Sequence, residues 1–114
     1  MWYVEIMNEA LAHDPILSRF RAALDAAYGA RLERAVLFGS RARGDAGAES
    51  DYDIAVFLRD MGDRAAEMNR LADLGTDILY DTGELVHALP YPAGMYNDPR
   101  MPLMHEIRRE GLDL

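Results

Sequence analysis

The 114-residue sequence contains no cysteine, and its twelve basic residues are all arginine. Without cysteine there is no disulfide framework, no thiolate nucleophile and no sulfur-rich metal site. Without lysine there is no Schiff-base amine and no phosphate-clamping ammonium, so positive charge at any anion site must come from guanidinium groups or backbone amides. No apolar run is long enough to span a bilayer. Nor is there a basic stripe: the net charge is −8, which repels phosphate polymers and argues against direct nucleic-acid binding. The apolar start, Met1 to Ala12, carries Glu5 and Glu9 and lacks a basic leader, so it does not read as a signal peptide. These features predict a cytoplasmic protein with no membrane partner.

What is present suits an ordinary α/β domain. Half the residues are hydrophobic and 28% are charged, and a chain of this length supports one core. We expect a single domain over residues 1–114, with residues 1–12 as a helical extension on which Tyr3, Ile6, Met7, Ala10 and Leu11 fall at helical spacing. Asp14-Pro15 reads as a helix start, and Ile16, Leu17, Phe20, Leu24, Ala27 and Tyr28 form one apolar face that Gly29 closes. Leu32 to Phe38 reads as a strand buried on both faces, and Asp51 to Leu58 as a second strand beside it. Between them, Ser40 to Ser50 fits a short helical turn plus loop. A long helix is expected from about Asp63 to Tyr80, with Gly75 as a weak point. A short third strand follows from Leu85 to Leu89, broken by Pro90 and Pro92, and a last helix begins at Pro102 and ends before Gly111. The architecture expected is a small mixed β-sheet of three or four strands, flanked by helices on one side.

Two segments carry chemistry. Asp51 and Asp53 stand two apart at the start of a strand, a spacing that projects both carboxylates from one face. Two acids so placed repel unless a cation lies between them, and hard oxygen donors suit magnesium. An isolated Asp-x-Asp more often only solvates a strand end, but the aliphatic run Ile54 to Leu58 marks this strand as central. The other segment, Gly39-Ser40, joins a strand to a helical turn. Amides at a helix start favour an anion, Gly39 lets a phosphate approach the backbone, and the Ser40 hydroxyl can donate to it. Arg41 and Arg43 add positive charge nearby. Alone, this too reads as a plain turn with solvated arginines. Together, Gly-Ser, ten residues and Asp-x-Asp on two aliphatic strands would arise by accident in roughly one chain of this length in a thousand.

On these residues the chain resembles the small nucleotidyltransferase domains of the DNA polymerase beta superfamily. In particular, it resembles the minimal prokaryotic nucleotidyltransferases (MNT), often the antitoxin half of two-gene systems with a HEPN-domain ribonuclease toxin. The resemblance runs from about Ala22 to the end, and Ile107-Arg108-Arg109-Glu110-Gly111 is similar to the tails of such proteins. It implies the polymerase-beta-like fold and magnesium-dependent transfer of a nucleoside monophosphate, AMP from ATP, to an acceptor hydroxyl. It assigns Asp51 and Asp53 to metal and catalysis, and Gly39, Ser40 and Arg43 to the triphosphate, with Arg41 beside them as nearby positive charge. It also implies a protein partner, a HEPN-type toxin to be modified.

The family pattern has a third carboxylate on the next strand. Here that strand reads Glu84-Leu85-Val86-His87-Ala88-Leu89, with no aspartate inside it, Asp77 and Asp81 preceding it and His87 within it. Glu84 or His87, whichever points toward Asp51 and Asp53, is the group available for the third catalytic position, with Glu84 the carboxylate. The departure supports a competing reading, a binding module that neutralises a partner by complex formation without transfer. Modification of a small molecule such as an aminoglycoside is a further alternative, for which so short a chain offers no enclosing second domain.

Overall fold

The computed structural model describes residues 13–44 and 51–114. The helix expected over residues 1–12 and most of the loop after the Gly-Ser turn lie outside the described residues. Helix α1 spans Pro15–Tyr28, and its start is fixed by Asp14, whose carboxylate accepts from the amides of Ile16 and Leu17. Its end falls at Gly29, φ 54°. Strand β1 is Leu32–Phe38, the turn α2 is Ser40–Arg43, and β2 is Tyr52–Leu58. Helix α3, Arg64–Thr82, is capped by Asp63 and closed by Gly83. Strand β3 covers Val86–Pro92, a 3-10 turn covers Ala93–Asn97, α4 is Pro102–Glu110, and β4 is the two residues Leu112–Asp113.

The sheet is mixed, as expected, with order β3-β2-β1-β4. β1 runs antiparallel to β2 and β4, and β2 runs parallel to β3. Helices cover both faces, which corrects the expectation of helices on one side. Leu37, Ile54 and Val56 pack against Phe20 and Leu24 of α1 and Leu71 and Ile78 of α3. Val36, Ala55 and Phe57 point the other way, onto Met104 and Ile107 of α4. The unbroken aliphatic runs of β1 and β2 require this, because alternate side chains of a strand face opposite sides and both sets are apolar.

Strand β3 also runs farther than its prolines suggested. The Leu85 carbonyl accepts from the Tyr52 amide, so odd-numbered residues of β3 turn their backbone groups to β2. Pro90 and Pro92 turn theirs to the open edge, where a missing N–H costs no ladder bond. Gly75, the weak point of α3, has a packing reason. A Cβ there would stand 2.8 Å from the Val86 carbonyl oxygen, so glycine lets the helix lie directly on β3. Among the described residues, no helix is long and apolar enough to cross a membrane.

Candidate active site

Strand β1 ends at Gly39, where φ is 79° and ψ is −157°, a conformation open essentially to glycine alone. This kink throws the chain into α2. The Arg43 amide closes this turn by donating to the Gly39 carbonyl. The register opposes Phe38 to Asp53, so the kink falls beside the Asp53 side chain. A Cβ on Gly39 would be 2.9 Å from Asp53 Oδ2. The Gly39 bend and one acid of the pair therefore lie side by side.

Along 51–53 exposure alternates: Asp51 is exposed, Tyr52 buried and Asp53 half-buried. Tyr52 enters the α1–α3 core, and Asp53 lies on the side of Ala55 and Phe57, the face that α4 covers farther along. Across the parallel pairing Asp53 meets His87, whose Nδ1 lies 3.6 Å from Asp53 Oδ1. His87 thus occupies the position on β3 directly beside Asp53.

The two arginines of α2 diverge, as residues two apart on a helical turn must. Arg43 reaches Glu110 at the end of α4, 3.4 Å away. Arg41 goes to the opposite side, its guanidinium 3.9 Å from the centre of the Tyr52 ring and 3.4 Å from Glu84 Oε2. Glu84 therefore stands with Arg41 and Tyr52, and His87 stands with Asp53. Glu84 lies in the connection ahead of β3, whereas His87 is inside the strand and is paired with Asp53 by the register.

Sequence reasoning missed the part played by Asp14 and Tyr52. The Tyr52 hydroxyl donates to Asp14 Oδ2 at 2.8 Å, while Asp14 Oδ1 caps α1. Burial, and then the hydrogen bond to Asp14, push the Tyr52 phenol up to about 12. The signal available in the sequence was an aromatic residue set between two acids on an alternating strand. A cavity of about 640 Å³ opens on this side, lined by Asp14, Arg19, Tyr52, Thr82 and Glu84 among others, with neither Asp53 nor His87 on its walls.

Among the described residues, no three acidic or histidine side chains stand close enough together to hold a metal by themselves. Magnesium does not need such a cage. It keeps waters and is held by one or two carboxylates together with substrate phosphates, a donor set that Asp51, Asp53 and a triphosphate at Gly39-Ser40 fit.

Comparison with known proteins gives the family of the chain. The family model described as polymerase beta, nucleotidyltransferase matches residues 27–94, which include both motif segments and His87. A protein of Methanocaldococcus jannaschii, provisionally named a protein adenylyltransferase, is 34% identical over 91 residues, covering 80% of this chain and 81% of that protein. The chain belongs to the polymerase beta nucleotidyltransferase family, and it is an enzyme of that kind. Its fold is also that of a chain in a toxin–antitoxin crystal structure with AMP-PNP, TM-score 0.58 at 21% identity, over 82% of this chain and 68% of that one. A chain from a mutant toxin–antitoxin structure, MntA-HpeT, gives a TM-score of 0.55 at 22% identity, with the same coverage.

Proposed function

We propose that this nucleotidyltransferase moves AMP from ATP to a hydroxyl group of a partner protein, as the antitoxin of a pair whose toxin is of the HEPN type. The observation that carries the reading is the convergence of Gly39 and Asp53 on one site. The acceptor is drawn from the name of the M. jannaschii relative, and the nucleotide and partner from the toxin–antitoxin structures of like fold. The compartment proposed is the cytoplasm, where ATP and such a partner meet.

In the reaction, the acceptor oxygen attacks the α-phosphorus of ATP and a new P–O bond forms. The bond from that phosphorus to the bridging oxygen breaks, pyrophosphate leaves with the electron pair, and the hydroxyl proton is released to solvent. Gly39 and Ser40 hold the outer phosphates by backbone amides and a hydroxyl, which fixes the leaving group in line with attack. Arg43, on the α4 side of the turn, adds charge for the departing pyrophosphate. Arg41 acts through the turn itself, pinned by the Tyr52 ring and Glu84. Asp51 and Asp53 would hold magnesium, which supplies Lewis-acid polarisation of the phosphoryl oxygens when bound.

Incubation with magnesium, ATP labelled at the α-phosphate and the purified toxin partner tests this. Label should pass to the partner and be lost with Asp53→Ala. A tight complex without label would instead support the binding module, which the absence of an aspartate from the third strand favours.

A further inference from the structure

Asp53 and His87 are paired across β2 and β3, with Oδ1 and Nδ1 3.6 Å apart. The His87 side chain is 60% exposed and that of Asp53 34%, so both are open to an ion arriving from solvent. Two donors of one ion, each about 2.1 Å from it, lie about 3 to 3.5 Å apart. A shift of a few tenths of an ångström, within the reach of an exposed imidazole, therefore places both on one cation.

From this juxtaposition we infer that His87 is a metal ligand and that its nitrogen turns the site toward manganese(II), or a similar imidazole-accepting divalent ion, over magnesium. The inference rests on the proposed metal role of Asp53. Its basis is donor chemistry. Magnesium takes oxygen almost exclusively and gives up its water reluctantly, whereas imidazole is an ordinary ligand for first-row transition ions. An imidazole beside Asp53 brings no negative charge, where a second carboxylate would bring one, and this weakens the hold on magnesium most. It leaves a mixed oxygen and nitrogen set that manganese accepts.

The test is direct metal binding by the full chain saturated with a non-hydrolysable ATP analogue, with metal binding by the analogue alone subtracted. Free Mn2+ is followed by its electron paramagnetic resonance signal, and Mg2+ is measured by competition. All-oxygen sites already prefer manganese modestly, so the ratio of the two affinities across variants is the readout. His87→Asp should strengthen Mg2+ binding and lower the Mn2+ to Mg2+ ratio roughly tenfold, and His87→Gln should weaken Mn2+ binding more than Mg2+ binding. A histidine that only steadied Asp53 would move both ions together, so an unchanged ratio in both variants overturns the inference. Asp53→Asn separates the two layers. If it binds Mn2+ like the unmodified protein, the metal role of Asp53 itself fails; if it loses Mn2+ while the His87 variants keep the ratio, only the role of His87 fails.

Discussion

Gly39 lies against Asp53 so closely that a methyl group on its α-carbon would stand 2.9 Å from Asp53 Oδ2, and its φ of 79° is one that other residues rarely adopt. The tight approach sets the turn and the carboxylate side by side, where the proposed function needs both on one nucleotide. Gly39→Ala should therefore fail in two ways. The strained backbone should cost about 1 to 3 kcal/mol of stability, visible as a lower Tm. ATP binding should weaken more than global destabilisation explains, measurable by titration well below the new Tm. A variant with unchanged nucleotide affinity would separate the turn from the site.

Glu84 offers a sharper distinction. A carboxylate acting on the acceptor would be worth roughly a hundredfold or more in kcat. The structure puts Glu84 3.4 Å from Arg41, on the wall of a cavity that Asp53 does not line. Glu84→Gln should thus leave kcat nearly intact and raise KM for ATP about threefold, since a partly exposed ion pair contributes less than about 1 kcal/mol. A large fall in kcat with KM unchanged would return Glu84 to the reacting centre.

Tyr52 ties strand β2 to the start of α1 through Asp14. Its phenol, pushed up to about 12 by burial and the hydrogen bond to Asp14, is protonated more tightly folded than unfolded. The stability this adds is fully present below the unfolded pKa of 10.0 and is lost as pH rises through about 12. Tyr52→Phe should cost about 1 kcal/mol at neutral pH for the lost hydrogen bond. It should also remove a late phenolate step from the ultraviolet titration. If the difference spectrum shows that step at the ordinary tyrosine pH, the hydroxyl is not held by Asp14 in solution.

Much of this fold was legible because its signals are local. Asp14-Pro15 and Gly29 bracket α1 by cap chemistry, and the aliphatic run to Phe38 gives β1 at its observed limits. The misses share a cause: each depends on a partner distant in sequence. The prolines at 90 and 92 end a central strand but not an edge strand, and edge placement follows from sheet order. The two residues of β4 are too few for a pattern and are strand only because Val36 and Leu37 pair with them. Within the site, Gly39-Ser40 and Asp51-x-Asp53 were readable as motifs. The split of Glu84 from His87 was not, because it rests on the register that sets His87 opposite Asp53.

The most direct test of the central claim, that the Gly39 bend and the Asp53 carboxylate receive polyphosphate and cation together, is calorimetric titration of ATP with and without a divalent ion. The account predicts that ATP binding strengthens markedly when magnesium or manganese is present, and that Asp53→Asn abolishes this coupling while leaving the fold intact. Binding of equal strength with and without the ion, or coupling that survives Asp53→Asn, would contradict it.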